Sequence, residues 1–222
     1  MAFPQDTVLF LIVSSAPEIP AVLPRGPHGL AREVVAASQR GRLLTGITEA
    51  VAEKGYGAVS VADVIARAGV SRKTFYVHFR DKLECFLAAY DFGVGVLLDT
   101  VRAAGTGETD VLALVRARIR AYLAALAAEP AFARTFLIEV RAAGPEALER
   151  QRAVHEQFAA LGHEFAREMG VPESSHDLHL AVVGATNELV TAWVHDGRAA
   201  ELPALEDTLL HIQVALLGGQ AT

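Results

Sequence analysis

Apolar residues recur at intervals of three and four positions along most of the chain, a spacing typical of amphipathic helices. Between residues 38 and 54 this spacing is seen in Leu43, Leu44 and Ile47, and Gly55 ends the segment. The sequence contains no alternating runs joined by a hairpin turn, so we predict an all-α fold. The predicted helices span, in order, about residues 38–54, 60–69, 71–79, 81 to a break at 105, 110–128, 130–144, 146–169, 175–196 and 204–217.

The segment SVADVIARAGVSRKTFYVHFRDK, residues 60–82, has the pattern of a helix, a tight turn and a second helix. Ser60 and Ser71 are placed to cap the two helices, and Gly69 is placed to make the turn. On the second helix, Phe75 and Phe79 are four positions apart and are predicted to be core residues. The opposite side is basic and hydroxyl-rich, which suits a helix that enters the DNA major groove. Its members are Arg72, Lys73, Thr74, Tyr76 and His78.

Charge is distributed unevenly, although the whole chain carries a formal net charge of −6. Residues 25–90 contain ten Lys and Arg against six Asp and Glu, a local charge of +4. Residues 91–222 contain ten against eighteen, a local charge of −8. Because the local field governs the approach to phosphates, the acidic total does not argue against binding of nucleic acid by the first part.

Residues 40–90 resemble the DNA-binding domain of TetR-type transcriptional regulators. The resemblance is carried by AVAEKGYGAVSV at the end of the first helix and by ADVIARAGVSRKTFYVHFRDKLE after it. It implies an all-helical dimer with an N-terminal three-helix helix-turn-helix DNA-binding domain. It also implies a C-terminal helical ligand-binding and dimerisation domain that senses a small molecule. The remainder of the chain matches the family only in the number and length of its helices.

The resemblance assigns DNA-binding roles to a small set of residues. Ser71 would cap the recognition helix, and Ser60 would place its hydroxyl and backbone N–H near the DNA backbone. Tyr76, His78 and Lys82 would contact phosphates, although a half-buried packing role is the alternative for Tyr76. Which side chains reach base edges is left open. The predicted DNA-binding residues are Ser60, Ser71, Arg72, Lys73, Thr74, Tyr76, His78 and Lys82.

Three segments follow from these assignments: an arm at residues 1–37, the DNA-binding domain at 38–84, and the effector-binding and dimerisation domain at 85–222. The arm is rich in proline and lacks a helical period, so a flexible tail is expected. The alternative is an arm that reaches DNA beside the main domain. The apolar run at residues 7–13 is too short to cross a membrane, and neither a signal peptide nor membrane association is expected.

The last two predicted helices are candidates for the dimer interface. Leu205, Leu209, Ile212 and Leu216 are spaced four, three and four positions apart, as in a helix-packing seam. Two copies of helices eight and nine would form a four-helix interface between subunits. Packing of these stripes within one subunit remains the alternative.

A small-molecule pocket is predicted among helices four to eight, where aromatic residues are frequent and a few polar residues accompany them. Each aromatic residue could instead be ordinary core. The candidate lining residues are Tyr122, Phe132, Phe136, Glu139, Arg141, His155, Phe158, Asn187 and Trp193.

Sequence patterns for catalysis and metal binding are incomplete. His155-Glu156 and His163-Glu164 each begin like the HExxH zinc motif, but the second histidine of that motif is missing from both. His176 and His179 are three positions apart and could share a metal, but no third ligand is evident, so no metal site is predicted. Cys85 is the single cysteine and is predicted to be a buried small hydrophobe.

These observations together predict a cytoplasmic, dimeric DNA-binding regulator that responds to a small-molecule effector of unknown identity and needs no cofactor. A repressor of a palindromic operator is the form that the resemblance implies. The alternative is a helical small-molecule-binding protein without operator recognition, and an enzyme is not expected.

Overall fold

The computed structural model describes residues 32–170 and 174–217, which fold entirely into helices and turns without a β-strand. Nine α-helices are formed within these ranges: α1 Arg32–Lys54, α2 Val61–Ala68, α3 Arg72–His78, α4 Lys82–Ala103, α5 Val111–Ala128, α6 Pro130–Leu137, α7 Pro145–Glu168, α8 His176–His195 and α9 Glu206–Leu217. Short 3₁₀ helices connect them at Tyr56–Ala58, Glu139–Ala143 and Ala199–Leu205.

Three predicted boundaries differ from the observed ones. Helix α1 begins at Arg32, six residues before the predicted start. The apolar-polar pattern is weak over these six residues and did not indicate a helix, but no proline after Pro27 prevents one. The sixth helix ends at Leu137 and continues as a 3₁₀ turn, and the segment before α9 is a 3₁₀ helix that contains Pro203. Residues 32–37, predicted as the end of the N-terminal arm, are therefore helical, and the rest of the arm with its apolar run lies outside the described ranges.

The N-terminal module, α1 to α3, is organised around a dense apolar core. Leu43, Ile47 and Val51 of α1 are fully buried and pack with Val64 of α2 and Phe75 of α3. Burial of such side chains stabilises each by about 1.5–3 kcal/mol relative to exposure, which holds the short α3 in place although seven residues would not form a stable helix alone.

Helix α4 joins the two halves of the molecule. Asp81 caps its first turn through a bond from the Glu84 N–H to the carboxylate, at 2.9 Å. Phe86 lies in the core cluster that contains the N-terminal module, whereas Leu97 lies in the second cluster of the C-terminal domain. The 22 residues of α4 extend over about 33 Å, so a single helix reaches from the end of α3 into the C-terminal domain.

The second core cluster lies among α5, α8, α9 and the last 3₁₀ helix. It includes Leu205 and Leu209, which are almost fully buried within one subunit. Ile212 packs against the same cluster, so three of the four residues predicted as a dimerisation seam pack within the chain. Residues that recur at three and four positions look alike whether they face their own subunit or another. Ion pairs tie α5 to the start of α9, with Arg116 and Arg120 both within 2.9 Å of Glu206.

Within the described ranges, no helix combines the length and apolarity that a membrane crossing requires.

Candidate nucleic-acid interface and ligand cavity

The turn between α2 and α3 is fixed by hydrogen bonds at both helix starts. Ser60 and Asp63 form a reciprocal capping box, in which the Ser60 N–H donates to the Asp63 carboxylate at 2.8 Å. Gly69 adopts the left-handed conformation with φ of 61°, which ends α2. The Thr74 N–H then donates to Ser71 Oγ at 3.0 Å and starts α3. The angle between the two helices therefore depends on local capping and not on a long loop.

Asp63 also receives a hydrogen bond from Lys54 Nζ, at 2.6 Å. This bond and the bonds from Ser60 hold the pKa of the Asp63 carboxyl well below its usual value. The carboxylate is therefore charged at every physiological pH, and it strengthens the start of α2 next to the surface that α3 presents.

The outward face of α3 carries the side chains that the sequence suggested for DNA. Arg72, Lys73 and Tyr76 are exposed, while Phe75 and Phe79 are buried beneath them. The Arg72 guanidinium lies 5.8 Å from the centre of the Tyr76 ring, four positions along the helix. Tyr76 is 49% exposed and its ring packs edge-on against Phe75 at 5.3 Å between centres, so the phosphate contact and the half-buried packing role both stay open.

Sequence reasoning missed Val77, which is 73% exposed on the same face as Lys73. A valine at that position contributes nothing to the core, and an exposed apolar group on a groove-entering helix can contact a thymine methyl. The signal was present in the sequence, because Val77 lies four positions after Lys73 and opposite Phe75.

Two predicted phosphate contacts have other partners in the structure. His78 is half-buried, with Nε2 3.5 Å from the Gln39 side-chain oxygen, and burial together with Arg40 lowers its pKa. Lys82 Nζ donates to the backbone oxygens of Tyr56 and Val59 at 2.7 and 2.8 Å. A phosphate contact remains a prediction for both, but the structure gives Lys82 a role in fixing the segment before α2 to the start of α4.

A cavity lies in the C-terminal domain among six helices, α4 to α9, one more than predicted. The volume of the cavity is about 200 Å³. Its walls are mainly Val, Leu and Phe side chains, with polar groups at intervals. Six of the nine predicted lining residues do face it: Tyr122, Phe132, Phe136, His155, Phe158 and Asn187.

Three predicted lining residues lie elsewhere. Glu139 accepts a hydrogen bond from the Tyr56 N–H at 3.0 Å and pairs with Arg134, so it joins the two domains. Arg141 is exposed on the second 3₁₀ helix. Trp193 is partly buried and packs against the second core cluster, and the centre of its ring is 3.7 Å from the Arg198 guanidinium. Residue type alone does not show which side of a helix faces the cavity, so these three residues were assigned to the wrong surroundings.

Polar lining residues were missed in turn: Arg118, Gln151, His179, Thr186 and Gln213. Arg118 was the most accessible to sequence reasoning, because it shares the three- and four-residue spacing of Val115, Ile119 and Tyr122. A charged residue in an apolar stripe is unusual unless it has a partner.

His176 and His179 do not share a site for a metal. The imidazole of His179 is buried beside Ser174 Oγ at 2.9 Å and packs against the His163 ring at 3.8 Å between centres. His176 instead faces Glu156 at 2.9 Å. Within residues 32–170 and 174–217, no group of three or more His, Cys, Asp or Glu side chains is arranged to hold a metal ion.

Cys85 is fully buried, as predicted, with its Sγ 3.8 Å from the Leu43 carbonyl oxygen. Burial raises the pKa of the thiol to about 12. The thiolate is therefore not formed near neutral pH, and the residue acts as a small core side chain.

Comparison with known proteins gives a family match for the region that contains α2 and α3. Residues 43–89 match the family described as bacterial regulatory proteins, tetR family. A stretch of 99 residues is 33% identical to the HTH-type transcriptional activator FasR of Mycolicibacterium smegmatis, and it covers 45% of each chain. The chain therefore matches less than half of the length of that relative.

Longer but weaker similarities cover most of the chain. The Fatty acid metabolism regulator protein of Bacillus subtilis is 23% identical over 184 residues, which cover 78% of this chain and 93% of that one. The structure of the fatty acid degradation regulator FadR from Bacillus halodurans superimposes with a TM-score of 0.70 at 24% identity, over 80% of this chain and 97% of that one. FadR from Bacillus subtilis, solved in complex with stearoyl-CoA, gives 0.68 at 20% identity over the same shares. At these identities the structures establish a common fold.

Proposed function

Since the chain belongs to the TetR family of bacterial regulatory proteins, we propose that it binds a palindromic operator as a homodimer and releases it when an acyl effector occupies the C-terminal cavity. DNA binding and regulation of transcription follow from the family, which is a family of regulators and not of enzymes. The dimer, the operator symmetry, the effector class and the cytoplasmic location are the parts that are proposed.

The observation that carries this proposal is the position of α4. Its first turn lies directly after the recognition helix, and its later turns form a wall of the cavity through Tyr90, Val94, Leu97 and Val101. An effector that displaces this wall therefore moves the end of the helix that carries α3. Since two recognition helices must match the spacing of two half-sites, a small displacement in each subunit lowers operator affinity.

The contact surface proposed for DNA is the exposed side of α3. Arg72 and Lys73 supply positive charge to phosphates or guanine edges, and Tyr76 and Val77 supply the adjoining contact area. Ser60 and Ser71 already accept intramolecular capping bonds, so they contribute to DNA binding by placing two helix N-termini near the phosphates.

The proposed dimer interface is the exposed side of α8 and α9. Ala181, Gly184 and Ala192 of α8 are exposed, as is Val214 of α9. A Cβ atom added at Gly184 would meet nothing within 4 Å in the subunit, so this part of α8 is open to a close approach by a second helix. A symmetric pair of such surfaces would form a four-helix contact.

An acyl effector is supported by the shape and chemistry of the cavity. The lining residues from Val115 to Leu126 extend along α5 over about 16 Å, and those of α4 extend over a similar distance, which is comparable with an extended fatty acyl chain. The relatives point in the same direction, since two are named as regulators of fatty acid metabolism or degradation and one was solved with stearoyl-CoA.

Aromatic contacts connect the cavity with the DNA-binding module. The Phe132 ring in the cavity wall lies 4.9 Å from the Phe136 ring, which lies 5.4 Å from Phe86. Phe86 lies 5.0 Å from Tyr56, which belongs to the segment just before the capped start of α2. The ring and carbonyl of Tyr56 also contact Lys82 at the start of α4. Closely packed rings have few alternative arrangements, so a shift of Phe132 would be passed on to the segment that positions α2 and α3.

Repression is the direction of regulation that we propose, because an operator-bound dimer in a promoter blocks polymerase. FasR is named as an activator, so the sign is tested by a reporter gene downstream of the operator and not by binding alone.

The first experiment is selection of bound sequences from a random duplex library at about 150 mM salt, where weak phosphate-driven binding is suppressed. We expect a palindrome whose half-sites are centred about one helical turn apart. Palmitoyl-CoA and palmitate are then added to the complex, and release of the duplex is expected with at least one of them. A folded dimer that enriches no sequence would favour a small-molecule-binding protein without operator recognition.

A further inference from the structure

One charged side chain interrupts the apolar wall of the cavity. Arg118 of α5 lines the cavity between Val115 and Tyr122. Its Nε and Nη1 atoms are fully buried, and no atom in the described part of the chain accepts a hydrogen bond from either. An unpaired buried guanidinium is costly, because the N–H groups of these two atoms have lost water without a replacement.

The other arginines of the same helix show that this arrangement is specific to the inward side. Arg116 and Arg120 point to α9 and are paired with Glu206 and Asp207 at 2.7–2.9 Å. Arg118 lies two positions from each of them and therefore faces the opposite way. The chain supplies carboxylates for the outward pair but leaves the inward guanidinium open to the cavity.

The immediate surroundings of Arg118 do not replace the missing acceptors. The guanidinium lies 3.0 Å from the centre of the Phe165 ring, which is a cation–π contact and offers no lone pair to the N–H groups. Glu164 and Glu168 are near enough to attract the charge electrostatically, yet burial outweighs them and lowers the pKa of Arg118 from its usual value. Glu164 is also directed to Arg102, at 4.0 Å.

We propose that Arg118 binds the negatively charged group of the effector, so that the cavity selects an anionic amphiphile over a neutral one of the same chain length. This inference rests on the proposed function as an effector-responsive regulator. The charged group can be the carboxylate of a fatty acid or a phosphate of an acyl-CoA, because a guanidinium forms paired N–H···O bonds with either.

The position of Arg118 also orients the ligand. Arg118 and Leu126 are eight positions apart on α5, about 12 Å along the helix axis, and both line the cavity. Between them Tyr122 packs against Phe158 at 5.9 Å between ring centres. The apolar part of the ligand would therefore extend from Arg118 past Tyr122 towards Phe132 and Phe136, the rings that connect the cavity with the DNA-binding module.

The test compares three ligands of one chain length, palmitate, palmitoyl-CoA and hexadecanol, each titrated calorimetrically into the full-length protein below its micelle concentration. The variants are Arg118→Met, which keeps an unbranched side chain, shorter than arginine, but removes its charge, and Arg118→Lys. Arg152→Met, on the exposed side of α7, is the matched control for loss of one positive charge.

Wild-type protein is expected to bind one or both anionic ligands at least tenfold more tightly than hexadecanol, as expected for a hydrogen-bonded charge pair. Arg118→Met should abolish this preference while leaving hexadecanol affinity unchanged, Arg118→Lys should retain part of it, and Arg152→Met should retain all of it. Preference for palmitate assigns the carboxylate as the bound group, and preference for palmitoyl-CoA assigns a phosphate.

A thermal melt without ligand separates a binding role from a structural one. Removal of an unpaired buried charge should leave the melting temperature of Arg118→Met unchanged or raise it. A lower melting temperature with equal loss of all three ligands would assign Arg118 to the fold and overturn the proposal. An anion preference that survives in Arg118→Met would also overturn it. If none of the three ligands binds while the operator is still selected, the inference fails and the DNA-binding function stands.

Discussion

The proposed recognition surface and the proposed effector cavity are built in opposite ways. The proposed recognition surface lies mainly on one helix of seven residues, in which buried and exposed side chains are separated by helical spacing within a single short sequence. The cavity is assembled from six helices, and its lining residues are spread from Tyr90 to Leu217. The first kind of site can be changed by one or two substitutions without effect on the second. The second depends on how distant segments pack, and therefore on the whole domain.

The largest expected effect is on the recognition surface. Arg72→Ala combined with Lys73→Ala removes two exposed charges per subunit, four in a dimer, and should lower operator affinity on the order of 100-fold or more. Effector binding should be unchanged, because neither residue lines the cavity. Operator binding is measured by fluorescence anisotropy and effector binding by calorimetry. The control removes Arg152 and Arg167 on the exposed side of α7, and an equal loss of affinity there would remove α3 from its proposed role.

The next effect concerns the surface that would bring two recognition helices together. Gly184→Arg adds a long side chain where the subunit itself leaves open space, so the monomer should remain folded, while a second α8 can no longer approach. We expect a change from dimer to monomer by analytical ultracentrifugation and a loss of operator affinity on the order of tenfold. Gly95→Arg, also at an open helical glycine but on α4, should stay dimeric. A dimeric Gly184→Arg protein would place the interface elsewhere.

A smaller effect is expected at the junction between cavity and α4. A Cβ atom at Gly93 would lie 1.9 Å from Phe132 Cε2, so Gly93→Ala must move that ring. We expect destabilisation by about 1–3 kcal/mol and weaker release of the operator by effector. Gly95→Ala, two positions further, has free space around it and should be stabilised by up to about 1 kcal/mol from helix propensity. Stability is measured by urea denaturation, and operator release is measured by titration of the complex with effector. Equal stability of the two variants would contradict close packing at Phe132.

The smallest expected effect is a loss of folding stability as the pH decreases. Burial lowers the pKa of His179, with His163 and His176 adding to the shift, and burial also lowers the pKa of His155 and His78. Below the ordinary value of 6.5 the unfolded chain then binds more protons than the folded one, so stability falls as the pH decreases.

Between pH 7.5 and 5.5 we expect the melting temperature to fall, by more than it does in a variant that lacks one of these histidines. His179→Gln keeps a group that can pair with Ser174 but does not titrate, so it should reduce the slope, whereas the exposed His195→Gln should not. A slope that His179→Gln leaves unaltered would assign the acid sensitivity to the other two histidines.

The sequence by itself determined the helix-turn-helix module. Ser60, Gly69 and Ser71 act through hydrogen bonds and backbone angles within three or four residues, and Phe75 and Phe79 follow helical periodicity. Such interactions are local, so their signal is present in consecutive letters of the chain. The same applies to the burial of Cys85 and to the order and type of the nine helices in the described ranges.

Only the tertiary structure decided which residues share a site. Glu139 and Phe136 are three positions apart, yet Phe136 lines the cavity while Glu139 binds the Tyr56 N–H in the other domain. A phosphate contact stays a prediction for Lys82, but only the fold shows that its ammonium donates to two carbonyls of the segment before α2. Arg118 lies between two paired arginines and points the opposite way. Residue spacing gives the direction of a side chain relative to its own helix, whereas the packing of the other helices decides whether that direction leads to solvent, to core or to a cavity.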